Sequence, residues 1–215
     1  MAKKLDEPQE RGDFFKSLGT LFAGFMADRI GEAVTGLGPK LLRPPGALEE
    51  LEFLTKCTRC DKCVRACPEN AILKAPPTAG LAMKTPYLDP RSVPCFLCTT
   101  LPCIAECDDE ALVWPRLTLA DGTVLEGPKA VRMGTARIKP SLCVTWSTDD
   151  REARACQVCV DRCPYPDEAI RITAPAEGRT VGHPEVVAEA CTGCGLCVFA
   201  CPAEPGAIAV EPRRD

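Results

Sequence analysis

The sequence has no excess of basic residues. It contains 26 Lys and Arg against 30 Asp and Glu among 215 residues, a formal net charge of −4 at pH 7. Proteins that bind nucleic acid show a basic balance and a clustered basic face. The composition therefore argues against a nucleic-acid-binding protein.

Long hydrophobic runs and common catalytic motifs are also absent. No stretch of about eighteen apolar residues occurs, so no segment is predicted to span a bilayer. The sequence has no P-loop, dinucleotide fingerprint or nucleophile–base pair. Its one histidine, His183, lies between Gly182 and Pro184 and is predicted to be a loop residue. We therefore expect a protein that is not itself an enzyme.

Cysteine, by contrast, is abundant. The chain has 16 cysteines, together with 21 prolines and 16 glycines that predict many turns and short connections. A dense, even set of cysteines can form disulfides, metal sites or redox clusters, and the spacing must distinguish these possibilities.

Two cysteine sets have the spacing of bacterial ferredoxins. Each reads C-x2-C-x2-C-x3-C-P, a run in which three cysteines bind one cluster and the fourth binds another. The two-residue gaps let the backbone curl around a cluster and direct three sulfurs at three irons. The first and fourth sets are Cys57, Cys60, Cys63 and Cys67, and Cys191, Cys194, Cys197 and Cys201.

The other two sets keep the C-x3-C ending but are irregular before it. One reads C-x2-C-x4-C-x3-C, and Asp108 replaces the following proline; the other has an insertion from Val144 to Ala155 after its first cysteine. These second and third sets are Cys95, Cys98, Cys103 and Cys107, and Cys143, Cys156, Cys159 and Cys163. All sixteen cysteines are thus predicted to ligate the iron of four [4Fe–4S] clusters.

Zinc and disulfides are the competing interpretations. Zinc sites commonly consist of two separated cysteine pairs, often with histidine, and the single histidine lies outside every set. A disulfide framework fits closely spaced C-x2-C loops less well than a metal centre does.

Residues around the cysteines repeat as well. An apolar stretch led by alanine follows each set, and apolar residues such as Leu51-Phe53-Leu54 and Val186-Val187 precede some of them. Each unit is predicted to form a short strand, a cysteine loop, one helical turn and another short strand. The predicted fold class is therefore α+β, with two ferredoxin-like modules built from four repeats. The alanine-led stretches are Ala71-Ile72-Leu73, Ala111-Leu112-Val113, Ala169-Ile170 with Ile172, and Ala207-Ile208 with Val210.

Similarity of spacing suggests which sets pair. The two regular sets are expected to form an outer module, residues 46–74 and 182–215, and the two irregular sets an inner module, residues 75–181. The alternative is sequential pairing, because neighbouring elements pair readily. The expected clusters are Cys57/Cys60/Cys63/Cys201, Cys191/Cys194/Cys197/Cys67, Cys95/Cys98/Cys103/Cys163 and Cys143/Cys156/Cys159/Cys107.

Segments outside the cysteine sets have their own predictions. Residues 1–45 should form an amphipathic helix, with apolar positions from Phe14 to Val34, and a linker. This helix is expected to pack on the protein itself or to dock on a partner or a membrane surface. Residues 117–125 alternate and turn at Asp121-Gly122, which predicts a hairpin.

Local charge differs between the first two sets. Basic residues surround the first set, whereas acidic residues surround the end of the second. Cations favour the reduced form of a cluster, so the first cluster should have the highest potential and the second the lowest. The basic first loop is also a candidate docking face for an acidic redox partner. The two groups are Lys56, Arg59, Lys62 and Arg65, and Glu106, Asp108, Asp109 and Glu110.

From residue 42 onward three short motifs accompany the four cysteine sets: Arg43-Pro44-Pro45-Gly46-Ala47, Val93-Pro94-Cys95 and Ala190-Cys191-Thr192-Gly193-Cys194-Gly195. With these motifs this part of the chain resembles four-cluster ferredoxin-type proteins of the MauM/NapG family. The resemblance implies electron relay between a membrane quinol-oxidising partner and a terminal redox enzyme, and it agrees with pairing of the outer and inner sets. Arg11-Gly12-Asp13-Phe14-Phe15-Lys16 resembles a degenerate twin-arginine export signal. The expected location is cytoplasmic, with a membrane-peripheral or periplasmic position as alternatives.

The sequence therefore predicts an electron carrier that relays single electrons to a terminal oxidoreductase. Its expected partners are redox proteins, membrane-associated ones included, that dock at the basic first loop or the N-terminal helix. The alternatives are an iron–sulfur subunit of a larger oxidoreductase and a metal-stabilised interaction module without redox function.

Overall fold

The computed structural model describes residues 40–146 and 154–213. The predicted N-terminal helix between Phe14 and Val34 lies outside these residues and stays a prediction. None of the helices described in these two ranges has the length and apolar character of a membrane-spanning segment.

A short helix in each cysteine set carries the third cysteine of that set. The fourth cysteine follows within two residues of the end of the helix, where the chain turns towards the next strand. Such a turn projects the third and fourth cysteines in different directions, as the C-x3-C spacing predicted. The four helices are α2 Lys62–Ala66, α3 Pro102–Ala105, α4 Val158–Asp161 and α5 Leu196–Ala200.

Helix α1, Glu50–Lys56, precedes the first set and corrects one prediction. The apolar residues Leu51, Phe53 and Leu54 were expected to form a strand. The segment is helical instead, with Glu50 and Glu52 in its first turn and Lys56 in its last, charges that complement the helix dipole. Phe53 is completely buried, whereas Leu51 is exposed.

Antiparallel strand pairs connect consecutive cysteine sets. Strand β1, Ile72–Lys74, leaves the first set and pairs with β2, Pro86–Leu88, which leads to the second. In the same way β6, Ile170–Ile172, leaves the third set and pairs with β7, Pro184–Val186, which leads to the fourth. The strands predicted after the first and third sets are thereby confirmed.

A second strand pair joins the third and fourth sets. Strand β5, Gly134–Ile138, precedes the third set and pairs with β8, Ile208–Pro212, which follows the fourth. Around the first and second sets, a β-bridge between Ala47 and Leu112 takes the corresponding place. We call residues 40–131 the first half, and residues 134–146 and 154–213 the second half.

The expected pairing of outer and inner sets is therefore wrong. The first set packs with the second through α2 and α3, and the third with the fourth through α4 and α5. The physical reason is connectivity, because a strand that leaves one set hydrogen-bonds to the strand that enters the next. Similar spacing in the first and fourth sets reflects similar loops and does not indicate a contact between them.

The predicted hairpin is confirmed. Strands β3, Arg116–Thr118, and β4, Val124–Glu126, pair antiparallel, and the turn between them contains Asp121 and Gly122. The Asp121 carboxylate accepts a hydrogen bond from the Thr123 amide at 2.9 Å, which orders the turn and lowers the pKa of Asp121.

The segment after residue 41 was predicted to be a linker, but it is packed into the core. Leu42 and Arg43 are 5% and 7% exposed, and the backbone of Leu42 pairs with Leu88. The Arg43 guanidinium stacks over the Phe53 ring, 4.6 Å from the centroid, and donates to Glu50 Oε2 at 2.9 Å. This arginine thereby joins the segment to helix α1.

A second group of hydrogen bonds joins Arg43 to the residues at the start of β2. Its Nη1 donates to Thr85 Oγ1 and to the Pro86 carbonyl oxygen, each at 2.8 Å. Thr85 is fully buried. Removal of the guanidinium would therefore leave several buried acceptors without a donor.

We expect Arg43→Met to destabilise the fold by about 2–3 kcal/mol, below the full cost of opening a buried ion pair because Glu50 is partly exposed. For a chain of this size the loss corresponds to about 5–10 °C in the midpoint of thermal unfolding. The loss of visible absorbance during anaerobic heating measures it. Arg116→Met, which removes an exposed pair with Glu126, is the matched control and should shift the midpoint little. Equal shifts for both variants would contradict the structural role of Arg43.

Candidate metal centres

Four cavities contain all sixteen cysteines, four in each. Each cavity takes three cysteines from one set and one from a neighbouring set. We name them the Cys57 cavity (Cys57, Cys60, Cys63, Cys107), the Cys95 cavity (Cys67, Cys95, Cys98, Cys103), the Cys191 cavity (Cys163, Cys191, Cys194, Cys197) and the Cys143 cavity (Cys143, Cys156, Cys159, Cys201).

The three-plus-one arrangement agrees with the C-x3-C spacing, but every predicted fourth ligand was assigned to the wrong partner. Cys107 lines the Cys57 cavity where Cys201 was expected, and Cys67 lines the Cys95 cavity where Cys163 was expected. In the second half Cys163 lines the Cys191 cavity where Cys67 was expected, and Cys201 lines the Cys143 cavity where Cys107 was expected. These are the groups that the sequential alternative requires.

The long insertion in the third set does not displace its first cysteine. Arg154 donates its amide to the carbonyl oxygen of Val144 at 3.0 Å, which closes the insertion at its base. Cys143 therefore lines the same cavity as Cys156 and Cys159.

The first and fourth loops share a left-handed backbone at equivalent positions. Arg59 and Asp61 have φ values of 60° and 63°, and Gly193 and Gly195 have 73° and 83°. Asp61 and Gly195 each occupy the N-cap of the following helix. This conformation turns the loop so that its cysteines converge on one cavity.

Burial makes several of the cysteine thiols hard to ionise. It raises the pKa of Cys63 and Cys95 to about 12, and that of Cys103, Cys159 and Cys163 to about 11. Neighbouring cysteines add to these shifts, because thiolates repel one another. Four thiolates in one cavity therefore need positive charge between them, and the iron ions of a cluster supply it. This all-cysteine donor set fits a [4Fe–4S] cluster.

All sixteen cysteines lie within the described ranges, and all are free thiols. The disulfide alternative is therefore wrong for this structure. Among the same residues, no three His, Cys, Asp or Glu side chains are grouped so as to hold a single metal ion.

Hydrogen bonds reach several of the sulfur atoms. The amides of Ala71, Leu112 and Ala136 each lie 3.4 Å from a cysteine Sγ, those of Cys67, Cys107 and Cys191 respectively. Such bonds stabilise the more negative, reduced state of a cluster and so raise its potential.

A side-chain hydroxyl makes a similar contact in the Cys143 cavity. Thr145 Oγ1 lies 3.2 Å from Cys143 Sγ, and Thr145 is 1% exposed. When Cys143 is a thiolate it can only accept, so Thr145 is the donor.

The structure does not support the predicted difference in charge between the surroundings of the first two clusters. Cys107 lines the Cys57 cavity, and Glu106 and Asp109 line it as well, beside Arg59. Asp108 pairs with Lys62 and raises the pKa of that lysine. Acidic and basic residues that lie far apart in sequence thus surround the same cavity and offset each other.

The roles of Arg43 and Thr145 were not predicted from the sequence. Arg43 was assigned to a linker, although an arginine between Leu42 and two prolines is an unusual polar residue in an apolar segment. Thr145 lies only two residues after a cysteine, but nothing in the sequence shows that its hydroxyl turns back to the sulfur.

Four all-cysteine cavities on paired loop–helix–strand units define an iron–sulfur protein of the ferredoxin type. Two family models agree: a 4Fe–4S binding domain matches residues 53–73, and a 4Fe–4S dicluster domain matches residues 154–204. The second match spans cysteines of the third and fourth sets, which the structure pairs.

Related proteins identify the family. The chain is 34% identical over 205 residues to the ferredoxin-type protein NapG of Escherichia coli, which covers 93% of this chain and 83% of the relative. It is 36% identical over 198 residues to the methylamine utilization ferredoxin-type protein MauM of Methylorubrum extorquens, covering 91% of this chain and 83% of the relative. The chain belongs to the NapG/MauM family of ferredoxin-type iron–sulfur proteins.

The cavities predict which double variants damage one cluster and which damage two. Cys60→Ala with Cys107→Ala removes two ligands from the Cys57 cavity, so about three of four clusters should stay intact. Cys60→Ala with Cys201→Ala removes ligands from two cavities, so about two should stay intact. Spin integration by EPR of the reduced protein, combined with iron analysis, counts them. The reverse order of the two counts would restore the pairing of outer and inner sets.

The Thr145 hydroxyl predicts a shift in one potential. Thr145→Val keeps the shape but removes the donor, so the potential assigned to the Cys143 cavity should fall by about 40 mV, if the bond is worth about 1 kcal/mol more in the reduced state. EPR-monitored redox titration measures the shift. Thr118→Val, an exposed change on strand β3, is the control. An unchanged set of potentials in Thr145→Val would show that the hydroxyl does not donate to the sulfur.

Proposed function

We propose that this protein relays single electrons through four [4Fe–4S] clusters, one in each cavity. The observation that carries the proposal is the division of sixteen free cysteines into four cavities of four, each built from three cysteines of one set and one of its neighbour. A bound cluster of this kind accepts and gives up one electron at a time.

The protein's own residues hold these sites and limit the access of water. Phe53, Ala111 and Leu112 line the Cys57 cavity, and all three are buried. Ile138, Val158 and Ile208 give the Cys143 cavity a similar apolar lining. An apolar surrounding helps to set the potential and protects the sulfurs.

Short covalent paths connect the two cavities of each half. The helical turn from Cys63 to Cys67 runs from the Cys57 cavity to the Cys95 cavity, and the turn from Cys103 to Cys107 returns. In the second half the turns from Cys159 to Cys163 and from Cys197 to Cys201 do the same. Each half therefore offers a two-cluster path.

A redox partner is proposed to meet the first loop. Cys60 is exposed, whereas the other fifteen cysteines are buried or partly buried. The residue before Cys60, Arg59, donates to the carbonyl oxygens of two exposed apolar residues, Leu81 at 2.9 Å and Met83 at 3.1 Å. These features support docking at this loop, although its charge is mixed rather than basic.

The donor and acceptor are proposed from the family resemblance alone: a membrane quinol-oxidising protein and a terminal oxidoreductase. The compartment stays a prediction, cytoplasmic or periplasmic.

One observation favours a second candidate function, that of an iron–sulfur subunit in a larger oxidoreductase. Phe96, Trp114 and Phe199 are between 47% and 55% exposed. Aromatic residues are enriched at protein–protein interfaces, so these three side chains are candidate contact sites for a partner. Purification of the chain alone as a monodisperse protein would favour the carrier, and aggregation without a partner would favour the subunit.

Anaerobic iron and acid-labile sulfide analysis tests the proposed cofactor directly. We expect about sixteen of each per chain, with reversible reduction followed by EPR. Zinc without sulfide would contradict the proposal. A full load of iron and sulfide that cannot be reduced and reoxidised would instead support an interaction module stabilised by its clusters.

A further inference from the structure

A direct backbone hydrogen bond joins ligand cysteines of the two halves. The Cys95 amide donates to the Cys194 carbonyl oxygen at 2.9 Å. Cys95 lines the Cys95 cavity in the first half, and Cys194 lines the Cys191 cavity in the second. Cys194 is 7% exposed and packs in the apolar core of the first half. We call the contact between these two loops the seam.

The seam gives the four cavities an order. Helical turns connect the Cys57 cavity with the Cys95 cavity and the Cys191 cavity with the Cys143 cavity, so each half has an inner and an outer site. The hydrogen bond from Cys95 to Cys194 links the two inner sites. The order along the protein is therefore the Cys57, Cys95, Cys191 and Cys143 cavities.

Gly195 lies against Pro90 at the seam. A Cβ atom at this position would overlap two atoms of the Pro90 ring, its Cβ and, at 2.8 Å, its Cγ. Pro90 cannot move aside easily, because its ring is rigid and its turn is held by Asp89. The Asp89 carboxylate accepts bonds from the Arg91 amide at 3.1 Å and from the Ser92 hydroxyl at 2.7 Å.

The loop conformation by itself does not require glycine at this position. In the first loop Asp61 holds the equivalent N-cap with φ 63° and ψ 9°, close to the 83° and 6° of Gly195. An aspartate thus adopts this left-handed conformation in a loop of the same spacing, as Asp and Asn do more readily than other residues. The overlap with Pro90 is what distinguishes Gly195 from Asp61.

We infer that Gly195 is a positioning residue for electron transfer between the halves: by lacking a side chain, it lets Pro90 and Cys95 lie against the fourth cysteine loop. One electron crosses the seam, so that one inner site is oxidised as the other is reduced, and no bond forms or breaks. The electron comes from the external donor of the proposed function, on which this inference rests.

The test variant is Gly195→Asn, because asparagine tolerates the left-handed backbone but adds the overlapping Cβ. In the full-length, iron-loaded protein we expect faster hydrogen–deuterium exchange of the peptide that contains the Cys95 amide. After flash photoreduction with a deazaflavin, internal redistribution of the electron should be several-fold slower than in the parent. The four midpoint potentials are measured in both proteins, so that slower transfer at equal potentials is attributed to the contact and not to the driving force.

Two controls isolate the contact. Gly122→Asn imposes the same backbone strain at φ 85° in the β3–β4 turn, where a Cβ would meet nothing within 4 Å, and should leave exchange at Cys95 and the transfer rate unchanged. Pro90→Gly combined with Gly195→Asn removes the overlapping ring and should restore both values. Parent-like exchange and rate in Gly195→Asn, or the absence of rescue in the double variant, would overturn the inference.

If Gly195→Asn loads less iron than the parent, Pro90→Leu is the variant that tests the inference. It enlarges the opposite side of the same contact and lies outside every cysteine set. Slower transfer with full iron content supports the inference, and a parent-like rate overturns it. Failure of the proposed function is recognised separately, because the parent itself would then lack about sixteen irons or would not cycle.

Discussion

Each cavity takes its fourth cysteine from the neighbouring set, and the rest of the fold depends on this exchange. Cys67 and Cys107 cross between two cavities of the first half, as Cys163 and Cys201 do in the second. The exchange requires two sets to lie at a fixed separation, and the antiparallel pairs β1–β2 and β6–β7 hold them there. Aromatic residues make up only 5% of the chain, and binding of the clusters would contribute much of the folding free energy.

The irregular cysteine spacing of the second and third sets leaves this arrangement intact. The insertion after Cys143 is closed at its base by the bond between Arg154 and Val144, so the extra residues leave the ligand loop without moving the cysteine. What every set preserves is the C-x3-C turn, since it alone carries a ligand to the second cavity. The spacing of the cysteines varies before that turn and is constant within it.

Electrostatics in this protein follow spatial neighbourhood rather than sequence. Acidic residues after the second set lie beside the Cys57 cavity, because Cys107 brings them there. The paired Lys62 and Asp108 then offset each other across the two sets. A potential read from the charges nearest in sequence would therefore be assigned to the wrong site. Hydrogen bonds to sulfur, such as that from Thr145, are more local and give a more direct handle on a single potential.

The cysteine spacing alone predicted the all-cysteine donor set, the helical turn in each unit and the three-plus-one rule, since these depend on geometry within a few residues. The family was recognised from the cysteine sets together with short motifs such as Arg43-Pro44-Pro45-Gly46-Ala47. The β3–β4 hairpin was predictable for the same reason, from alternation around Asp121 and Gly122. Only the tertiary structure decided which sets pair, that Arg43 lies in the core and that Gly195 meets Pro90. These features depend on which distant segments come into contact, and strand pairing between consecutive sets outweighed the similarity in spacing that had suggested otherwise.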